Sequence, residues 1–340
     1  MLTADDIFTV EVTETMTLDA VHYAEKSLHY TYNRMGSSNL YDRVRNIVKG
    51  LIMESAFKRL LDYHKVKYDL LGNTHWTKKD RYDVGIDGHK YDIKGFHISE
   101  SWKANAIKKD PGWLLDCCAL VPSDQINTKS LKEDDKYLFP FMIGEFERHN
   151  GLDLFTMDRF RYLIHCFWDY AWFKNEHWKS LGQLTIEARL KANLGIRIGG
   201  QGENQELVVE EFILKPGSTI TTKNEFFTVL FTQIREYPQG DVIVQSKSNK
   251  KPERICPNDW GNIWVYDGIV YFTGYLSKAE FKKRSVEIPR FYKECKQYGE
   301  TKTDNRMLAV KELEPLVELL PFNHVKFVPA DQNSSRQDIR

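Results

Sequence analysis

The chain of 340 residues has few cysteines, no net formal charge and no long apolar run. Its five cysteines are an odd number and form no CxxC pair, which argues against a disulfide framework or a structural zinc site. We therefore expect reduced and mostly buried thiols. A formal charge of zero neither favours nor excludes a nucleic-acid partner, because a neutral protein can still carry a basic groove.

Signals for a membrane or for secretion are also missing. No apolar run approaches the roughly 18 residues needed to cross a bilayer. The first residues, MLTADDIFTVEVTE, are acidic and lack the basic and apolar regions of a signal peptide. We therefore expect a cytoplasmic protein without a membrane partner.

The composition is that of a folded protein, with 41% apolar and 13% aromatic residues. The pattern predicts an α/β fold whose character changes near residue 194. Residues 155–193 are rich in aromatics and predict helices, with the rings in the core, whereas residues 196–275 predict strands. We expect a first domain over 1–194, a strand-rich region over 195–330 and a flexible tail over 331–340. The second region would serve target recognition, dimerisation or completion of the first domain's fold.

Several shorter segments give clear local signals. A long helix is predicted to start at Asn39, and SKAE at 277–280 is typical of a capping box at a helix start. YDLLGN, FHIS, WLLDCCALVP and YLFPFMIGEF predict strands. Pro140 places the last of these at a sheet edge or at a break, because proline cannot donate a ladder hydrogen bond.

The segment RYDVGIDGHKYDIKG, residues 81–95, predicts a β-hairpin. Asp-Gly is a strong signal for a two-residue turn, and a turn at Asp87-Gly88 would pair Ile86 with His89 and set Asp83 opposite Asp92. A turn at Gly88-His89 would instead set Asp83 opposite Lys94. In either case the two aspartates and Lys94 share one face, since strand side chains alternate.

Two carboxylates on one face repel each other unless a positive charge lies between them. A divalent cation would satisfy both, and oxygen ligands favour Mg²⁺, with Mn²⁺ as an alternative, over zinc. A further carboxylate precedes the hairpin, because Glu54 lies on the apolar stripe of the long helix. Such a carboxylate needs a partner, which is either the metal site or Lys58 one helical turn away.

Glu54, Asp83 and the DIK of residues 92–94 resemble the PD-(D/E)XK nuclease superfamily, in which a helix precedes a bent β-hairpin. Tyr82 stands where the family motif has its proline, and Asp87 is a second candidate for the first aspartate. The resemblance covers roughly residues 39–145. The segment IVYFTGYLSKAEFKKRS is similar to the closing strand and helix of some such domains, which would make the residues before it an insertion.

The resemblance implies a restriction-endonuclease-like mixed β-sheet flanked by helices, and a Mg²⁺-dependent DNA endonuclease of restriction or anti-phage type. It implies that Asp83, Asp92, the carbonyl of Ile93 and Glu54 hold the metal. Lys94 would stabilise the attacking water and the negative charge on phosphate. A homodimer or a partner protein of a defence system is also expected.

Basic residues outside the hairpin are candidates for phosphate contacts with DNA. They are Lys78, Lys79, Arg81, Lys250, Lys251 and Arg254. Two other functions compete with the nuclease. One is a non-catalytic nucleic-acid-binding or scaffold subunit, which would be expected to lose one of the four motif residues. The other is a glycoside hydrolase, whose pair of carboxylates would not need Lys94.

Overall fold

The computed structural model describes residues 1–28, 40–72, 82–127, 130–145, 159–167, 169–173, 178–248, 251–320 and 326–330. The chain forms two compact units that interleave along the sequence. Unit 1 consists of Met1–Ala20, Lys49–Glu145 and Val265–Arg340, and unit 2 consists of Val21–Val48 and Phe146–Trp264. The division expected after residue 194 falls inside unit 2, at the start of one of its strands.

The helices and strands of the described residues make this a mixed α/β protein. The helices are α1 Glu14–Ser27, α2 Leu40–Tyr63, α3 Ser101–Lys109, α4 Ser123–Ile126, α5 Tyr170–Phe173 and α6 Lys278–Arg284. The strands of unit 1 are β1 Phe8–Glu11, β2 Val84–Ile86, β3 His89–Ile93, β4 Phe96–Ile98, β5 Cys118–Pro122, β6 Lys136–Glu145, β16 Tyr266–Ser277, β17 Val286–Ile288, β18 Asn305–Ala309 and β19 Phe327–Val328. The strands of unit 2 are β7 Leu163–Cys166, β8 Gly182–Leu190, β9 Leu194–Gln201, β10 Leu207–Leu214, β11 Thr219–Phe226, β12 Thr228–Ile234, β13 Gly240–Ser246, β14 Glu253–Ile255 and β15 Gly261–Asn262.

Unit 1 is built on a seven-stranded mixed sheet in the order β19-β1-β16-β6-β3-β2, with β4 also paired to β6. Strands β2 and β3 form the antiparallel hairpin, and β3 then runs parallel to β6. A smaller sheet, β17-β18-β5, belongs to the same unit. The segment YDLLGN forms no strand, and only Asp69 makes an isolated bridge to Gly85.

The turn of the hairpin is the first of the two alternatives. Ile86 pairs with His89, so Asp87 and Gly88 form the turn. Both have positive φ, 49° for Asp87 and 80° for Gly88, as a type I′ turn requires. This fixes the register that sets Asp83 just beyond the last regular pair, Val84 with Tyr91.

Strand β6 is not an edge strand, although it contains Pro140. It lies between β16 and the β3–β4 pair. β3 pairs with β6 up to Leu138 and β4 resumes at Phe141, so Pro140 lies opposite the gap between them. On the other side, the pairing with β16 shifts register between Phe272 and Tyr275. A strand interior tolerates proline here because its missing N–H falls where the ladders on both sides are interrupted.

Helices cover both faces of this sheet. On one face, the ring of Phe57 from α2 lies 5.5 Å from Phe272 and 6.4 Å from Tyr91, between centroids. On the other face, Phe281 of α6 lies 5.8 Å from Tyr137, the residue paired with Asp92. Tyr91 and Asp92 are consecutive in β3 and therefore point to opposite faces. The predicted cap of α6 is confirmed, because the Ser277 side chain accepts the N–H of Glu280.

Unit 2 consists of two sheets, β10-β9-β12-β7-β15 and β11-β8-β13-β14, over a shared apolar core. The helical prediction for residues 155–193 is wrong for the described part, which forms β7, β8 and the four-residue α5. Burial along β8 alternates with a period close to two, so sheet packing overrides the helical appearance of the segment. Phe167 and Trp172 are core residues, as expected.

The described cysteines are all free, with four buried and Cys256 half-buried, which confirms the expected state of the thiols. Among the helices of the described residues, none is long and apolar enough to cross a membrane.

Candidate active site

The hairpin brings the carboxylate of Asp83 to the backbone of the DIK segment. The N–H of Ile93 donates a hydrogen bond of 2.6 Å to Oδ2 of Asp83. The N–H of Asp83 in turn donates to the carbonyl of Tyr91 at 3.0 Å. Asp83 is therefore tied to β3 through both its backbone and its side chain. Two of the three hairpin residues predicted for the site, Asp92 and Lys94, flank the residue that Asp83 contacts.

Asp92 and Lys94 form a close ion pair, with 2.5 Å between Nζ of Lys94 and Oδ1 of Asp92. Their side chains are 26% and 13% exposed, respectively, so the pair is partly shielded from water. The N–H of Lys94 donates to the carbonyl of Leu138 at 2.7 Å and anchors the residue to β6. The three polar residues are thus held by strand backbone, which favours a rigid site.

Tyr137 is a neighbour of this ion pair that the sequence did not identify. Nζ of Lys94 lies 5.8 Å from the centroid of its ring. Tyr137 is fully buried, and burial together with the charge of Asp92 raises the pKa of its hydroxyl well above the usual range. That hydroxyl has no hydrogen-bond partner within the part of the chain that the structure describes. Only the parallel pairing of β3 with β6 brings Tyr137 beside Asp92, and no local pattern signals it.

Glu54 lies on the turn of α2 that contacts the junction between β3 and β4. Its predecessor Met53 packs so closely on Gly95 that a Cβ at this glycine would overlap the Met53 side chain. Glu54 itself is half-buried. The structure thus places the helix of the predicted carboxylate directly against the residue that follows Lys94.

Asp87, the second candidate for the first aspartate, lies in the exposed hairpin turn. A different group, His89, Asp134 and Asp135, brings its ligand atoms within 4.8 Å of one another. Both oxygens of Asp135 accept backbone N–H groups, from Lys90 at 2.9 Å and Lys132 at 2.6 Å. Asp135 thus fastens the loop before β6 to the hairpin. Asp134 is 67% exposed, and the group has the character of a structural cap.

Most of the residues predicted to contact DNA fall outside the ranges given above. They are Lys78, Lys79, Arg81 and Lys250. Lys251 is exposed. Arg254, on β14, is paired with Asp241 of β13 at 2.5 Å between Nη2 and Oδ2, so its charge is balanced by a neighbour.

The donor set fits a hard divalent cation. Asp83, Asp92 and the nearby backbone of Ile93 offer oxygen atoms, as Mg²⁺ and Mn²⁺ require. Oδ1 of Asp92 already attracts a cation, the ammonium of Lys94, which shows that this carboxylate is placed to hold positive charge. Comparisons with protein-family models, with curated proteins and with solved structures found no match to the chain.

Proposed function

We propose that the chain is a Mg²⁺-dependent endonuclease that hydrolyses phosphodiester bonds of DNA. The observation that carries the proposal is the joint position of Asp83 and the Asp92–Lys94 ion pair on one hairpin, linked by the hydrogen bond to Ile93. A carboxylate pair with an adjacent lysine suits a reaction in which negative charge develops on a phosphate.

The topology around the site supports the same proposal. Helix α2 precedes the hairpin, and β3 runs antiparallel to β2 and parallel to β6, with α3 in the connection. This order resembles the helix and bent hairpin of the PD-(D/E)XK nucleases. Strand β16 and helix α6 return to the same unit after residue 264, which agrees with an insertion between the resembling segments.

In the proposed reaction, a water oxygen bonds to phosphorus, one ester P–O bond breaks, and the leaving oxygen gains a proton. Asp83 and Asp92, with the carbonyl of Ile93 and with Glu54, would hold the ion. When bound, Mg²⁺ supplies positive charge against the phosphate and makes water more acidic. Lys94 places its ammonium beside Asp92 and stabilises the additional negative charge of the transition state. Tyr137 shields the stem of Lys94 from water.

The biological context is part of the proposal. We infer a restriction or anti-phage role in the cytoplasm, with a homodimer or a partner protein of a defence system. Duplex DNA is the substrate that we expect first, and Mn²⁺ should replace Mg²⁺.

Cleavage of supercoiled plasmid and phage DNA tests the proposal, with Mg²⁺, with Mn²⁺ and with EDTA. The variants are Asp92→Asn and Lys94→Met. Asp134→Asn is the matched control, because it removes an exposed carboxylate at the neighbouring strand end. We expect nicking or linearisation that needs the metal, disappears in both site variants and persists in the control.

Activity that survives in both site variants would refute this site. DNA binding without cleavage under all conditions would favour the alternative, a non-catalytic nucleic-acid-binding subunit. The observation that keeps this alternative open is the ion pair itself, because Lys94 already neutralises Asp92.

A further inference from the structure

A strongly basic surface lies on unit 1, along α6, β17 and the turn that follows. Residues 278–293 contain six lysines and arginines but only two glutamates, in a chain whose total charge is zero. Lys278 is buried and donates to the carbonyl of Leu131, so it does not belong to the surface. We call the rest of the segment, residues 279–293, the α6 surface.

The acidic partners of the α6 surface are already engaged. Lys283 pairs with Glu280 at 3.5 Å, and Glu287 pairs with Arg306 at 3.1 Å. Three exposed cations, Lys282, Arg290 and Lys293, form no ion pair with any residue that the structure describes. Their uncompensated charge makes a polyanion the best electrostatic match.

An exposed aromatic ring stands within this charge. Phe291 is 54% exposed, and its φ of +67° lies in the left-handed region that a bulky residue rarely adopts. Its N–H donates to the carbonyl of Thr301 at 2.8 Å, which holds the backbone in place. The guanidinium carbon of Arg290 lies 4.5 Å from the ring centroid. A strained backbone that presents a ring to solvent points to a role for the ring itself.

The α6 surface is connected to the candidate active site through packed rings. Phe281, from the buried side of α6, lies 5.8 Å from Tyr137, and the Tyr137 ring lies 5.8 Å from Nζ of Lys94. The helix that bears Lys282 therefore covers the sheet face to which Asp92 belongs.

We propose that the α6 surface binds DNA that contains an unpaired base. Lys282, Arg290 and Lys293 contact phosphates, and the unpaired base stacks on Phe291. A ring stacks on an unpaired base without opening a duplex, so this surface favours DNA with a single-stranded segment. The choice of DNA rests on the proposed function, whereas the polyanion and the stacking rest on the surface alone.

Fluorescence anisotropy with labelled oligonucleotides tests the proposal, using the full chain in EDTA so that no cleavage occurs. The probes are a single strand of about 20 nucleotides, long enough to cover one binding site, and a blunt duplex of the same sequence. The variants are Phe291→Ala and the triple Lys282→Gln/Arg290→Gln/Lys293→Gln. The control triple Lys108→Gln/Lys109→Gln/Arg189→Gln removes the same charge from exposed positions elsewhere.

We expect Phe291→Ala to weaken single-strand binding by about 5-fold to 100-fold and to leave the duplex nearly unchanged. The surface triple should weaken binding of both probes and reduce the slope of log affinity against log salt by about 3. The proposal is overturned if the wild type binds neither probe, if Phe291→Ala binds the single strand like the wild type, or if both triples lose the same affinity.

Two further variants separate this proposal from its possible confounders. Phe291→Gly relieves the positive φ, so it should melt at or above the wild-type temperature while it still loses single-strand affinity. A lower melting temperature would instead assign the ring a structural role. Asp92→Asn should bind both probes like the wild type. Loss of cleavage with the expected binding results would therefore refute the endonuclease and keep the surface, whereas cleavage with unchanged binding in the surface triple would do the opposite.

Discussion

A hydrogen bond of 2.6 Å joins the side chain of Asp83 to the backbone N–H of Ile93. The bond crosses from the residue before β2 to the centre of the DIK segment, so one oxygen of Asp83 is used for structure. It fixes the direction of the carboxylate before any ligand arrives. This preorganisation gives the two atoms of that carboxylate different roles, and substitutions can separate them.

The first prediction uses this division of roles. In Asp83→Asn the carboxamide oxygen can still accept the Ile93 N–H, so the melting temperature should stay close to that of the wild type. Cleavage should fall by at least about 100-fold, because the charge that would hold the metal is lost. Asp83→Ala should also lose about 1–3 kcal/mol of unfolding free energy, because a shielded N–H loses its acceptor. Urea unfolding and plasmid cleavage measure the two effects, and equal stability of the two variants would contradict the structural role.

The second prediction concerns the competition between Lys94 and a metal for Asp92. The ammonium of Lys94 lies 2.5 Å from Oδ1 of Asp92 and must share that carboxylate with the ion. Lys94→Met should therefore bind Mn²⁺ more tightly than the wild type, while its cleavage falls by at least about 100-fold. Calorimetric titration of Mn²⁺ measures the affinity, with Asp92→Asn as the variant that should lose it. Weaker binding in Lys94→Met would show that Lys94 organises the ligands.

The third prediction compares the same substitution at two glycines. Gly88 has a φ of +80° in the hairpin turn, so Gly88→Ala should cost about 1–2 kcal/mol of unfolding free energy. Gly50 lies within α2, where an added methyl group would meet no atom within 4 Å, so Gly50→Ala should add about 0.5–1 kcal/mol. Chemical denaturation of both variants tests the opposite signs. Only the first should also reduce cleavage, because the turn sets the register of Asp83.

The fourth prediction concerns the thiols. Burial raises the pKa of Cys117 and of Cys166 to about 12. At pH 8 only about one in ten thousand of these groups is a thiolate, and the thiolate is the reactive form. Ellman's reagent should therefore modify Cys256, the half-buried cysteine, first in the native protein and all five thiols in denaturant. Cys256→Ser should remove the fast phase, and a fast phase that remains would show that a buried thiol opens readily.

The local parts of this fold could be predicted from sequence because their causes are local. The Asp87-Gly88 turn, the long helix α2 and the Ser277 cap each depend on residues within one or two turns of chain. The same holds for the shared face of Asp83, Asp92 and Lys94, which follows from strand alternation once the turn is known.

The remaining features depend on contacts between distant segments. The place of Tyr137 beside Asp92 needs the parallel pairing of β3 with β6, and the balance of Arg254 by Asp241 needs the pairing of β13 with β14. Strand β8 looks helical in isolation, and only its neighbours β11 and β13 decide its conformation. The interleaving of the two units leaves no mark in composition, because each boundary falls between segments of similar character.

The position of β1 has a consequence for synthesis of the chain. Its two partners are β16 and β19, which are separated from it by more than 250 residues of sequence. β1 emerges from the ribosome early, whereas its partners emerge only after all strands of unit 2. During that interval Phe8 and Val10, both fully buried in the finished protein, have no native strand to pair with. A nascent chain of this kind exposes an apolar strand for most of its elongation, and its yield should respond strongly to chaperones that shield such segments.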